Sequence, residues 1–218
     1  MTTFKPDGTQ TTPTITIEES NFTEPMAVAV DQRGKIYVLN STFYGSRGFV
    51  RTYRPDGLPT KPSFKTGVDP TSIAVDANGK IYVSNEGAGY HPKSSVTTYL
   101  PNGLPTTPTI TREIHKPTSV AVGADGTIYV ANVVPGGPDG TGAGAVTTYG
   151  ADGSGPVERF RTGPSYPNGV AVDALGKVYV AMSHSGYAYA VKTYMPNGKR
   201  TSPTIRDGIN EPSGIVIR

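Results

Sequence analysis

Apolar and polar positions alternate in short runs along nearly the whole chain, and the runs repeat. Residues 72–85 read SIAVDANGKIYVSN, and the phrase returns as AVAVDQRGKIYVLN from 27, SVAVGADGTIYVAN from 119 and GVAVDALGKVYVAM from 169. Short alternating runs bounded by turn residues predict strands. Each phrase therefore predicts two strands, a and b, around a D-x-x-G turn whose glycine supplies a positive φ. A third strand, c, recurs as FVRTYRPDG from 49, SVTTYLPNG from 95, AVTTYGADG from 145 and AVKTYMPNG from 190. A weaker fourth strand, d, follows the P-D-G or P-N-G reversal as KPSFKT, TPTITRE, PVERFRT and SPTIRDG. No segment keeps a helical period.

The repeat length decides the architecture. The prolines that open strand a are Pro25, Pro70, Pro117, Pro167 and Pro212, spaced 45, 47, 50 and 45 residues apart. Proline suits the first position of a strand, where its missing N–H costs no ladder bond, and the residue before it is expected to be extended. In strand a, Ile73 and Val75 flank Ala74, and Val28 and Val30 flank Ala29, so both faces are apolar. A lone four-stranded sheet cannot bury two faces. Sheets stacked radially can, and units of this length are those of a β-propeller. The rungs of a parallel β-helix, the main rival, are shorter.

The predicted fold is thus all-β, a propeller of four-stranded antiparallel blades within a single domain. Residues 26–70, 71–117, 118–167 and 168–212 are four blades. Residues 1–25 supply strands c and d, and residues 213–218 (SGIVIR) strand a, of a fifth blade split between the ends. That blade has no b strand in the sequence. Either the ring closes with a three-stranded blade, or another chain completes it. A closed monomer is the preferred expectation and a strand-sharing dimer the alternative. An engineered or fragmentary repeat array is a further reading.

The motif P-x-G-[IV]-A-V-D-x-x-G-x-[IV]-Y-V resembles the repeat of NHL-type propellers and, more distantly, the gluconolactonase and regucalcin group. The likeness spans residues 20–218. Members of that superfamily are often six-bladed, so a five-bladed ring departs from the common count.

Composition removes several functions. The 218 residues include no cysteine, which excludes disulfides and Cys-ligated zinc. Net charge is +3 with Lys and Arg scattered singly, so no nucleic-acid footprint is expected. No apolar run reaches a bilayer's thickness, and Met1 leads into TTFKPDG without an apolar signal segment. The sequence therefore assigns no compartment. G-x-S-x-G is absent, which removes the nucleophile-elbow hydrolases.

Differences among the repeats mark where function can sit. The a–b and c–d turns are nearly uniform and serve geometry. The b–c connections differ in every unit, as do the d–a connections, and in an antiparallel blade both emerge at the same end. That face carries Phe22, Phe43, Tyr44, Tyr90, His91, Tyr166, His184, Tyr187 and Tyr189. Aromatics among Gly and Ser suit a protein, peptide or glycan partner, or they fold back over the blade ends. The one-per-repeat Tyr37, Tyr82, Tyr129 and Tyr179 are expected to be inter-blade packing with bonded hydroxyls.

A second set lies nearer the axis. Glu24, Asp69 and Glu211 precede strand-a prolines, and Asn40, Asn85 and Asn132 follow the Y-V pairs. Such oxygens suit Ca²⁺. The resemblance to gluconolactonase-like propellers implies a channel metal held by acidic and Asn residues, and with it lactonase or lyase activity. The alternative is that each Asn caps nearby backbone and the acids are solvated. Lys116, in the same pre-proline position, opposes a purely anionic site. The leading expectation is a non-enzymatic binding or scaffold module, with the Ca²⁺-dependent enzyme second.

Overall fold

A computed structural model of the chain describes residues 1–5, 7–15, 24–42, 44–87, 93–134, 143–163, 165–183 and 189–217. The protein is an all-β propeller built from four-stranded antiparallel sheets. A short hairpin, β1 (Thr3–Phe4) with β2 (Gln10–Thr11), comes first. The first blade is β3 (Glu24–Val30), β4 (Ile36–Ser41), β5 (Arg47–Tyr53) and β6 (Pro59–Val68). The second is β7 (Pro70–Val75), β8 (Ile81–Asn85), β9 (Ser95–Tyr99) and β10 (Pro105–Ile110). The third is β11 (Pro117–Val122), β12 (Ile128–Val134), β13 (Ala143–Tyr149) and β14 (Glu158–Gly163). The fourth is β15 (Tyr166–Val172), β16 (Val178–Ser183), β17 (Ala190–Tyr194) and β18 (Arg200–Ile205).

The turns form for the reasons their residues suggest. Asp31 Oδ1 accepts the amides of Arg33 and Lys35, both at 2.9 Å, and Gly34 turns the chain at φ 79°. The second carboxylate oxygen accepts the Tyr37 hydroxyl at 3.2 Å. Asp76 with Tyr82 and Asp173 with Tyr179 repeat this contact. The tyrosine ring meanwhile packs against strand a of the next blade. Tyr37 shares a core with Ile73, Tyr82 with Val120, and Tyr129 with Val170. Tyr37 and Tyr82 thus each tie their own hairpin to the neighbouring blade.

The c–d hairpins carry a second recurring device. Thr52 Oγ1 lies 3.1 Å from Thr60 O and 2.8 Å from Pro62 O, holding strand d where the proline interrupts the ladder. Thr98 and Thr193 repeat it in the second and fourth blades. Thr3 repeats it in the N-terminal hairpin, with Thr11 O and Pro13 O at 2.9 and 2.8 Å.

Strands β3, β7, β11 and β15 surround an axial channel of about 440 Å³, and residues 213–216 line it as a fifth segment. Blades join around the axis by a repeated bond. Thr71 Oγ1 donates to Pro117 O at 2.8 Å, Thr118 Oγ1 donates to Pro167 O, and Asn168 Nδ2 donates to Pro212 O at 3.3 Å. The tail therefore stands to the fourth blade as each strand a stands to the blade before it. It does so without ladder pairs: residues 212–217 are not strand, which corrects the expected a strand at SGIVIR.

A second correction concerns the residue before the strand-a proline. Glu24 and Tyr166 are extended within β3 and β15, but Asp69, Lys116 and Glu211 have φ of 48°, 41° and 42°. Proline disfavours the right-handed helical region before it. At these three positions the tight passage from strand d to the next strand a takes the left-handed region instead.

Candidate functional site

The left-handed pre-proline residues shape the loop face. Asp69 Oδ1 accepts the Gly45 amide of the first b–c connection at 2.7 Å. The Lys116 amide donates to Ser94 Oγ of the second at 3.3 Å, and Lys116 Nζ lies 3.8 Å from Glu86. Glu211 Oε1 accepts the Tyr189 hydroxyl of the fourth at 3.1 Å, and that hydrogen bond raises the Tyr189 pKa. The same position, three times, latches a connection of different sequence. A uniform frame thus holds loops that vary.

The candidate residues fall out as follows. Tyr44 is 79% exposed at the tip of its connection. Tyr166 is half-buried in β15, and Tyr189 is half-buried against Glu211. Phe22, Phe43, Tyr90, His91, His184 and Tyr187 lie outside the described residues.

The oxygen-bearing set is dispersed. Asn40, Asn85 and Asn132 are buried, and each sends Nδ2 to a carbonyl of its own strand, Val38, Val83 and Val130, at 3.0 Å. Asn132 Oδ1 accepts the His115 amide at 3.2 Å. Asn40 Oδ1, Asn85 Oδ1 and Asp69 Oδ2 are buried without a hydrogen-bond partner. Glu24 is exposed, and Glu211 is engaged by Tyr189. Among the described residues no group of three or more His, Asp or Glu is placed to hold a metal. The amide nitrogens thus bond backbone, while Asp69 and Glu211 each engage a different connection.

The structure adds a cavity that the repeat pattern did not reveal. About 320 Å³ lies between the first and second blades, lined by Arg47, Lys65, Lys93, Asn85, Thr97 and Tyr99 among others. Arg47 opens strand β5 and Lys93 lies in the second b–c connection, so these two line the cavity from the loop end of the blades, while Tyr99, Pro105 and Thr106 line it from the c–d turn end. Thr97 Oγ1 and Tyr99 OH are 3.2 Å apart, and burial raises the Tyr99 pKa. Three cationic side chains and two hydroxyls line the same cavity, residue types that suit an anionic group. Arg47 and Lys65 come from the paired strands β5 and β6 of the first blade, and packing of the second blade against it adds Lys93.

No protein-family model matches the chain, and no curated protein matches it. Solved structures share its fold. A gluconolactonase from Xanthomonas campestris is 18% identical, matched over 79% of this chain and 59% of its own, with a TM-score of 0.52. A streptogramin B lyase is 13% identical over 81% of this chain and 53% of its own, TM-score 0.55. A protein of unknown function from Dyadobacter fermentans is 13% identical over 89% and 72%, TM-score 0.60. The chain thus spans little more than half the length of the gluconolactonase and lyase propellers. Likeness at this identity is a likeness of fold.

Proposed function

We propose that the chain is a non-enzymatic binding module, a five-bladed propeller of NHL type whose b–c and d–a connections form one recognition face for a peptide or glycan carrying acidic groups. One observation carries this reading: the pre-proline residues Asp69, Lys116 and Glu211 latch loops of different sequence, with a cavity lined by Arg47, Lys65 and Lys93 between the first two blades. The cations supply attraction, and the exposed Tyr44 supplies a flat contact surface on the same face. The test is a peptide-library and glycan-array screen of the intact chain, followed by titration with the Lys93→Ala and Tyr44→Ser variants. Binding that weakens on raising salt and on both substitutions is expected. Ligand capture unchanged by either substitution sinks the proposal.

A second reading, a Ca²⁺-dependent lactonase or lyase, draws on the shared fold with the gluconolactonase and lyase propellers and on the unpartnered oxygens of Asp69, Asn40 and Asn85. Carboxylate and amide oxygens are hard donors suited to Ca²⁺, which would polarise a substrate carbonyl. A ligand that binds the folded state raises the melting temperature by mass action. Melting with Ca²⁺ and with EDTA decides it, and no shift at millimolar Ca²⁺ removes the reading.

A further inference from the structure

We propose, resting on the binding-module reading, that the cavity between the first two blades takes a short segment of an acidic peptide. The peptide's main-chain amide and carbonyl do there what the protein's own d–a connection does one interface further round. Equivalent positions make the comparison. In the second blade Asn85 pairs with Ser95 and Ile81 with Tyr99, and in the third Asn132 pairs with Ala145 and Ile128 with Tyr149. Between the second and third blades, Asn132 Oδ1 accepts the His115 amide at 3.2 Å, and the Tyr149 hydroxyl donates to Arg112 O at 2.6 Å. Both partners are main-chain groups of the connection from β10 to β11.

The connection from β6 to β7 is one residue shorter. Phe64 and Ile110 are equivalent, facing Val50 and Val96 across the c–d ladder, as Phe160 faces Val146 and Ile205 faces Val191. Pro70 follows Phe64 by six positions, whereas Pro117, Pro167 and Pro212 follow their counterparts by seven. The shorter connection packs on the Asn85 amide without bonding it: a β-carbon at Gly67 would meet Oδ1 at 2.5 Å. Asn85 is buried, yet its Oδ1 has no partner. The Tyr99 hydroxyl meets the Thr97 side chain at 3.2 Å where Tyr149 meets a backbone carbonyl. Asn85, Thr97 and Tyr99 all line the cavity of about 320 Å³. Between the third and fourth blades Met182 stands at the asparagine position and Lys192 at that of Thr97, its Nζ reaching Thr162 O at 2.9 Å. That interface carries no amide at this position, and its own lysine crosses it.

The neighbouring interface states what a ligand must offer: a donor for Asn85 Oδ1 and an acceptor for the Tyr99 hydroxyl. Arg112 and His115 supply that pair from positions three apart, so a segment of about four residues carries both. The cavity lies at the small end of the range for ligand pockets, about 300–1,000 Å³. Burial raises the Tyr99 pKa, which keeps its hydroxyl a neutral donor. Charge then selects the side chains. Arg47, Lys65 and Lys93 line the same cavity, all three exposed, and no acid is among its described lining residues. Carboxylates beside the bound main chain meet these cations. A glycan of uronic acids would also meet the cations, but the amide and carbonyl of the filled interface are the pair that a peptide repeats at every residue.

The test titrates the intact chain with the blocked peptide acetyl-Glu-Gly-Glu-Gly-Glu amide, followed by calorimetry and by NMR of the Asn85 side-chain amide. Saturable binding that shifts the Asn85 signal is expected. Tyr99→Phe, which keeps the ring, and N-methylation of one peptide amide, which leaves the protein untouched, are each expected to weaken binding about three- to tenfold, the worth of one hydrogen bond. Lys65→Gln, at an exposed position, is expected to weaken binding and flatten its salt dependence with the melting temperature unchanged. Peptide binding that is indifferent to Tyr99→Phe, to Lys65→Gln and to every N-methylation overturns the proposal, and the binding-module reading survives if Lys93→Ala and Tyr44→Ser still weaken it. Tighter binding of an oligogalacturonate than of the peptide also overturns it, because the occupant is then a glycan. Retention of neither probe overturns the proposal, and failure of the library and array screen as well removes the underlying reading.

Discussion

Asp69 and Gly45, 24 residues apart, are joined by a 2.7 Å hydrogen bond from the Gly45 amide to Oδ1, while Oδ2 of the same carboxylate is buried without a partner. The bond fixes the first variable connection to the entrance of the second blade. It does so from a left-handed backbone, φ 48°, that Asp and Asn tolerate better than most side chains. Asp69→Ala removes the acceptor and keeps the awkward φ, so a loss of about 1–2 kcal/mol is expected in urea unfolding. Asp69→Asn keeps both acceptor and conformation, so stability within about 0.5 kcal/mol of the parent is expected. Equal losses in the two variants mean that the bond contributes nothing.

Alkali is expected to unfold the protein through its tyrosines. Burial, reinforced by the charge of Asp31, pushes the Tyr37 hydroxyl up to about 12, and burial likewise raises Tyr82, Tyr129 and Tyr149. A group whose pKa is higher folded than unfolded stabilises fully below the unfolded value, about 10. As pH rises through the window to the folded value, the unfolded chain ionises first and that stability is lost. Melting temperature measured between pH 8 and 12 is expected to fall from about pH 10. The part of the phenolate absorbance that belongs to Tyr37, Tyr82, Tyr129 and Tyr149 is expected to rise with unfolding and not before it. Complete tyrosine ionisation in a chain still folded contradicts this account.

The fold was legible because the repeat spells out its own turns. D-x-x-G, P-D-G and the strand-a proline recur at fixed offsets, and apolar faces on both sides of strand a leave radial stacking as the way to bury them. The tyrosine role was legible for the same reason: Tyr37, Tyr82 and Tyr129 each meet the strand a of the next blade. The cavity at Arg47, Lys65 and Lys93 was hidden. Arg47 and Lys65 meet through the β5–β6 register of the first blade, and Lys93 joins them through packing between blades, neither of which the order of residues displays. The Asn residues were read as candidate ligands because asparagine at a strand end suits either a ligand or a cap. Each Nδ2 bonds a carbonyl of its own strand, while Oδ1 of Asn40 and Asn85 has no partner, a matter of side-chain orientation that residue type leaves open.

The c–d reversals separate backbone strain from crowding. Gly8 and Gly103 have φ of 81° and 82°. A β-carbon at Gly8 meets nothing within 4 Å, whereas one at Gly103 meets Phe64 Cδ1 at 2.7 Å and Pro62 Cβ at 2.9 Å. Gly8→Ala is expected to cost about 1–2 kcal/mol from the left-handed conformation alone. Gly103→Ala carries the same strain plus an overpacked blade interface, adding about 1–3 kcal/mol. Chemical unfolding of both variants measures the difference. Equal costs place the whole penalty in the backbone and none in blade packing.

Gly169 tests how the tail is held. Its equivalents in the second and third blades are Ser72 and Ser119, whose hydroxyls accept the amides of Val120 and Val170 at 3.4 and 3.2 Å. Those bonds run from one blade's strand a to the next. At Gly169 no hydroxyl exists, and the tail lies close instead: a β-carbon there meets Gly214 Cα and Ile215 N, both at 3.0 Å. Gly169→Ser therefore adds crowding that the tail relieves by shifting slightly, together with an acceptor for the Ile215 amide. Gly169→Ala adds the crowding without the acceptor. The serine variant is expected to slow Ile215 amide exchange relative to the alanine variant, with a stability gap of about 1 kcal/mol in its favour. Fast exchange at Ile215 in both shows that the tail does not occupy the place of an innermost strand.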